Sequence, residues 1–441
     1  MPTSLLDISR QAAQLALRHG ATEAAAGTYR ARHVEVAWRD GKLEKVTEAT
    51  TRGLGLDLYV EGRYASVSTS DLRPEGLERF VSDAVALART LSPDPHRRLP
   101  EPELYRGAAD VDLELEDPTA GSLDTGARRD AARVAEEAAR GVAGSGAILS
   151  VTTGVSDTQG ESAVFHTNGF EGARRSTDFW VSAEVTVKDP DGRRPEEYAS
   201  SGARHRADVE APEVVGRRAA ERALARVGAV KGASGLVTLI VDARASGRLV
   251  SALFGPLSAA SIQQKRSFLE GKLGARVGSP RLDVRDDPHV KRGLGSRRYD
   301  GEGIAARPFT VFEDGVLRTY YVDTYYGRKL GIAPTTGRSS NLAWKLGDRS
   351  PAQLLADAGE GILVTGFLGG NSNSTTGDFS LGVRGFRIRG GQIAEPIGEM
   401  NVSGNHAELW QRLAAVGNDP YRYSALRTPT LVFEGVQIAG T

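Results

Sequence analysis

The chain has 441 residues and no cysteine, and its 56 Lys plus Arg balance 56 Asp plus Glu. Without cysteine there are no disulfides, no thiol catalysis and no Cys-ligated metal; without net charge there is no global field to draw nucleic acid or an anionic membrane. The length exceeds what one hydrophobic core usually organises, so two or three structural units are expected.

The N-terminal residues Met1 to Arg10 lack the basic and long apolar regions of a signal peptide, and no apolar run approaches the roughly 20 residues needed to span a bilayer. A cytoplasmic protein without membrane or nucleic-acid partners is expected. The pairs Arg128-Arg129 and Arg297-Arg298 read as solvated faces. Leu5, Leu6, Ile8, Ala12, Leu15 and Ala16 recur at helical spacing, with Thr3 or Ser4 as cap and Gly20 as stop. Val34, Val36 and Trp38 alternate as in a strand, Asp40-Gly41 signals a hairpin turn, and Leu54, Leu56, Leu58 and Val60 alternate again before Glu61-Gly62. A helix follows over about 74–91. Residues 92–120, rich in proline and acids, read as a long connection with little to offer a core.

An Ala-rich helix is predicted over about 124–140. Strands near 147–155, 161–167 and 178–188 then suggest a second sheet region, with a tight turn at Asn168-Gly169. A helix at about 212–227 closes this half, and Gly228 to Gly235 reads as a hinge. Beyond it the pattern is strand-dominated from Leu236 to Val241, with helices expected near 244–262 and 352–360 and hairpin signals at Asp314-Gly315 and Gly390-Gly391. The fold class is α+β: an N-terminal α/β part of two subdomains, 1–115 and 116–230, and a β-rich, mostly antiparallel, barrel-like C-terminal domain, 231–441.

Most catalytic patterns are absent. There is no Gly-x-Ser-x-Gly elbow, no Ser-x-x-Lys and no P-loop, since Gly41-Lys42 and Gly271-Lys272 both precede leucine. Of seven histidines none is followed by Glu, and the closest two, His19 and His33, lie 14 residues apart. Two ligands on one helical face need a spacing of about three to five. Asp286-Asp287-Pro288-His289 gathers three possible ligands, or a polar loop with Asp286 or Asp287 capping a turn. Asp300, Glu302 and Asp323 read as a carboxylate cluster or as a tight turn set by Gly301 and Gly303. The loop Gly369 to Ser380 is the most informative polar segment. Its Asn371, Asn373, Thr375, Thr376, Asp378 and Ser380 suit contact with an extended peptide or a partner subunit, or simply a hairpin connection. Asn401 to Asn405 is similar in kind, and His406 reads as a satisfied histidine. Tyr320, Tyr321, Tyr325 and Tyr326 fit an interface or a core.

Arg266-Ser-Phe-Leu-Glu-Gly-Lys-Leu-Gly274, Tyr299-Asp-Gly-Glu-Gly303 and Gly370-Asn-Ser-Asn-Ser-Thr-Thr-Gly-Asp-Phe-Ser380 resemble the PmbA (TldE) branch of the TldD/PmbA family. Arg52-Gly-Leu-Gly55 and Ser66 to Asp71 resemble the family's first domain, so the similarity spans nearly the whole chain. In the TldD branch a His-Glu-x-x-x-His helix supplies two zinc ligands and a carboxylate able to activate bound water. Laid without gaps before Arg266, that helix falls with Ser251, Ala252 and Pro256 at the His, Glu and His positions. No His or Glu lies between Asp242 and Ile262.

The resemblance implies a subunit with no metal or catalytic residue of its own and a TldD-like HExxxH partner that carries zinc. Unfolded peptide would be cut in an enclosed chamber, trimming leader peptides or degrading small proteins. Two other readings stay open. One is a homodimeric peptide-binding or regulatory protein. The other is an enzyme in its own right, in which Asp286, Asp287, His289 or Asp378 matters.

Overall fold

The computed structural model describes residues 4–440. The first helix, α1 (Leu5–Arg18), is capped by Ser4, whose hydroxyl accepts from the Asp7 amide at 3.1 Å; the alternative cap, Thr3, lies outside the described residues. Strands β1 (Glu23–Arg39) and β2 (Lys42–Val60) form a long hairpin whose turn residues Asp40 and Gly41 have φ of 47° and 79°. Both central residues of a type I′ turn need positive φ, which is why an Asp-Gly pair sits there. After β3 (Arg63–Thr69) come α2 (Pro74–Thr90) and α3 (Thr125–Arg140). Next are β4 (Ile148–His166), β5 (Glu171–Val187), β6 (Glu196–Ala203) and α4 (Pro212–Leu224).

All six strands belong to one antiparallel sheet, ordered β3-β2-β1-β4-β5-β6. The expected second sheet region is therefore corrected. Residues 148–166 form one unbroken strand that pairs with β1 from Ala25↔His166 to Arg39↔Thr152. The helices cover one face as two pairs. α1 and α2 bury Leu15, Leu77, Val81 and Val85 against Leu54, Leu56, Leu58 and Val60. α3 and α4 bury Ala132, Ala139, Val215 and Ala219 against Val151, Val181 and Val185. Two cores thus share one sheet, and its opposite face is left to the rest of the chain.

The C-terminal half opens with β7 (Gly235–Val241), α5 (Ala243–Phe254) and α6 (Ala259–Gln263). The single helix expected over 244–262 is thus two helices. The Gly255-Pro256-Leu257 turn divides them, because Pro256 has no amide hydrogen to continue the ladder. Strands β8 (Val284–Asp287), β9 (Phe309–Glu313) and β10 (Val316–Leu317) follow, then α7 (Thr324–Leu330) and β11 (Asn341–Trp344). The remainder is α8 (Pro351–Ala358), β12 (Gly361–Ser372), β13 (Asp378–Arg389), β14 (Gln392–Asn405), α9 (His406–Leu409), β15 (Leu413–Val416) and β16 (Leu431–Ala439).

The larger C-terminal sheet runs β14-β13-β12-β7-β16-β15, with β12 and β7 its parallel pair. β14 also pairs with β16, through Asn401↔Ala439 and Val402↔Ile438, so the strands close on themselves like a barrel. A smaller sheet, β10-β9-β8-β11, packs onto the same core of Leu239, Leu249, Phe312, Trp410 and Phe433.

The segment 92–120, read as a connection, is the seam between the halves. Arg328 of α7 donates to the carbonyls of His96, Arg98 and Leu99, and Glu114 pairs with Lys291 and Arg292.

Candidate functional site

α5 occupies the place that the family resemblance assigns to a zinc helix. Its first turn is fixed by Asp242, whose carboxylate accepts from the Arg244 amide at 2.9 Å. Ala245, Leu249, Val250 and Leu253 face the core, which leaves Arg248, Ser251 and Gly255 exposed and Ala252 half-buried. Pro256 is buried in the turn that ends the helix. A proline and an alanine offer no ligand atom, and one serine hydroxyl does not make a zinc site. Among the described residues no group of three or more His, Asp or Glu could hold a metal ion. The residues present do not fit zinc, and no catalytic step is assigned to a metal in this chain.

Beside this face stands the β12–β13 hairpin. Arg248 reaches its Gly370 carbonyl at 3.4 Å. Asn371, Asn373, Thr375, Thr376, Asp378 and Ser380 are all exposed, while Phe379 and Leu381 point into the barrel. The tip is a self-bonded turn. The Asn373 side chain accepts from the Thr375 amide at 2.9 Å, the Thr376 hydroxyl donates to Asp378 at 2.6 Å, and Asn405 donates to the Thr376 carbonyl and to Asp378, both at 2.9 Å. The Thr376 and Asn405 bonds hold the Asp378 carboxyl below its ordinary range.

Two family-like segments meet here. The Phe268 amide donates to the Ser374 carbonyl at 2.9 Å, and the Ser267 hydroxyl to the Pro256 carbonyl at 2.7 Å. His406 is wedged between Phe268 and Phe379 and faces the Ser372 hydroxyl at 3.3 Å; burial pushes its pKa down to about 4. The hairpin, the end of α5 and Arg266 to Gly274 are therefore one rigid assembly that presents short polar side chains outward.

The other candidates lie apart from it. Asp286 is buried and accepts from Tyr321 at 2.8 Å and from the Ser340 amide at 2.9 Å, with the Ser340 hydroxyl closer still. Burial raises its pKa against the pull of these bonds and of Arg297. Asp287 accepts from the His289 amide at 2.9 Å, the turn cap that its sequence suggests. Asp300 and Glu302 are likewise engaged with backbone: Asp300 accepts from the amides of Glu302 and Ile304, and Glu302 from Thr324. Asp323 caps α7 through the Tyr326 amide. Burial, followed distantly by repulsion from Asp300 and Asp323, pushes Glu302 up to about 7. The tyrosines divide: Tyr320 and Tyr321 are core residues, while Tyr325 reaches Asp94 in the seam at 2.8 Å under the guanidinium of Arg97.

Of the two arginine pairs, Arg129 and Arg298 are exposed as read, while the first members depart from the solvated-face reading. Arg128 is buried on α3 against Asp157, and Arg297 is 9% exposed. Arg297 lines a cleft between the open face of the N-terminal sheet and the C-terminal domain, made of adjoining cavities of about 670 and 540 Å³. Sequence reading missed this cleft because its lining comes from segments far apart in the chain.

Family models for three PmbA/TldA metallopeptidase regions match in order. These are domain 1 over residues 28–88, the central domain over 118–227 and the C-terminal domain over 234–440. The chain is 29% identical to Metalloprotease PmbA of Escherichia coli O157:H7 over 417 residues, 92% of this chain and 90% of that one. It superposes on the structure of a candidate modulator of DNA gyrase from Bacteroides thetaiotaomicron with a TM-score of 0.95 and 38% identity, over 98% of each chain. Its fold also matches TldE from Thermococcus kodakarensis at a TM-score of 0.84 and 21% identity, over 98% of this chain and 100% of that one. The chain belongs to the PmbA/TldD family of metallopeptidases.

Proposed function

We propose that this chain is the zinc-free, TldE-like subunit of a two-chain cytoplasmic metallopeptidase that cuts unfolded peptides, such as leader peptides or small proteins. The observation that carries this reading is α5 and the turn that ends it, which have exposed Ser251, half-buried Ala252 and buried Pro256 at the positions where the resemblance puts the His, Glu and His of a zinc helix. A partner with a His-Glu-x-x-x-His helix would hold the zinc that activates water. This chain would wall the chamber, offer loop amides and sheet edges to an extended peptide, and seat the partner's helix. Asn371, Asn373, Thr375, Thr376, Asp378 and Ser380 would make the partner or peptide contact. Native mass spectrometry of this chain with such a partner tests the assembly. One copy of each chain with one zinc supports it, and stoichiometric zinc on this chain alone contradicts it.

A further inference from the structure

We propose that the cleft between the open face of the N-terminal sheet and the C-terminal domain binds the carboxylate groups of acidic peptides. This rests on the peptide-handling reading above and specifies the substrate class. The two cavities, about 670 and 540 Å³, share Leu115, Glu161, Arg174, Arg297 and Tyr299 and so form one continuous space. A water takes about 30 Å³ of liquid volume, so the space holds far more than a single small ion.

Its charge is unbalanced. Arg174, Arg298 and Arg338 line it and have no carboxylate within ion-pair distance among the described residues. The Arg174 Nε donates to the Ser162 hydroxyl at 3.1 Å, which aligns the guanidinium without neutralising it. Arg297 and Arg204 lie deeper, donating to the carbonyls of Ser339 and Leu294 respectively, and the buried Nε of each has no acceptor. Burial disfavours both guanidinium charges, and Asp286 and Asp300 near Arg297 and Asp178 near Arg204 offset part of that cost.

The acidic lining cancels only part of this. Glu114 is engaged with Lys291 and Arg292, Glu161 with Arg30 and Arg175, and Asp300 with backbone amides. Asp112 and Glu116 also line the larger cavity, so that across the two cavities five carboxylates stand against seven arginines. No lining residue belongs to an α-helix, so no helix N-terminus is present to cradle a phosphate. Planar guanidinium forks match carboxylates in two-bond geometry.

The test measures fluorescence anisotropy of three labelled, unstructured ten-residue peptides, identical except for Glu, Gln or Lys at four positions, with the purified single chain. The Glu peptide should bind at least about tenfold tighter than the Gln peptide at low salt, with the advantage shrinking as salt rises. The triple variant Arg174→Gln, Arg298→Gln, Arg338→Gln, checked for an unchanged melting temperature, should lose that preference and keep its binding of the Gln peptide. Arg79→Gln, on the exposed face of α2, should behave like the parent. Equal binding of the Glu and Gln peptides, or a preference that survives the triple variant, overturns the proposal. So does an inorganic phosphate site at the cleft with no peptide preference. Because the single chain is measured, selective binding without cleavage beside a zinc partner would sink the subunit reading and leave this site standing. Cleavage of all three peptides alike would do the reverse.

Discussion

Arg128 and Asp157 are each 1% exposed and meet at 2.5 Å between α3 and β4. Two charges this deep are held by each other, and removing one leaves the other without compensation. Asp157→Ala should cost about 3–5 kcal/mol in urea unfolding, whereas the double change Arg128→Met with Asp157→Leu should cost much less than the sum of the singles. Nothing in Arg128-Arg129 or Arg297-Arg298 as dipeptides marks their first members as buried. Asp157 lies on a distant strand, and the acceptors of Arg297 are the Thr336 hydroxyl and the backbone carbonyls of residues 338 and 339. His166 and His406 are buried, and burial pushes each down to about 4 from an ordinary 6.5. Between those values the unfolded chain takes up protons that the folded chain refuses, so stability should fall as pH drops from about 6.5 to about 4, by up to about 3 kcal/mol per histidine. Glu302, pushed up to about 7 from 4.5, acts in the opposite sense and costs stability as pH rises through that range. In urea unfolding from pH 4.5 to 7.5, His406→Gln should therefore gain less stability with rising pH than the parent. An unchanged slope in that variant would contradict the assignment.

Turns and amphipathic helices were legible because their signals are local. Asp40-Gly41 and Ser4 act through neighbours in sequence, and the Leu54 to Val60 alternation records which side of the sheet is dry. The 148–166 strand was not legible as one piece, since Gln159-Gly160 reads as an interruption and only pairing with β1 carries the strand across it. α7 was missed because it is only seven residues long and its start is set by Asp323 rather than by an apolar stripe. Contact between helices also inverts a local rule. Alanine normally favours a helix interior over glycine by about 1 kcal/mol. At Gly216 of α4 a Cβ would stand 1.8 Å from the Ala135 carbonyl oxygen of α3, whereas at Gly247 of α5 the nearest atoms are 3.9 Å away. Thermal unfolding should show Gly216→Ala destabilising by about 1–3 kcal/mol and Gly247→Ala neutral to stabilising by up to about 1 kcal/mol. Equal effects would mean that α3 and α4 do not pack this closely. The hairpin supplies the functional counterpart at this scale. Thr375→Arg on its exposed tip should leave stability within about 0.5 kcal/mol. The same change should cut cleavage by a mixture with the zinc partner more than tenfold, and full activity would remove the tip from the contact surface.

At the scale of the molecule, the family-like segments 266–274 and 370–380 form one assembly, while Tyr299 to Gly303 packs against Phe170 in the turn between β4 and β5. Their clustering is a tertiary fact that sequence spacing does not carry, and the same holds for the 92–120 seam and the arginine-lined cleft above it. What the sequence does state directly is the chemistry of Ser251, Ala252 and Pro256, three side chains that do not amount to a zinc ligand set. The most direct test of the account is hydrolysis of an unstructured peptide by this chain alone, by a His-Glu-x-x-x-His partner alone and by the two mixed, each with and without a chelator. The account predicts cleavage in the mixture, abolished by the chelator and absent from this chain alone. Cleavage by this chain alone would contradict it.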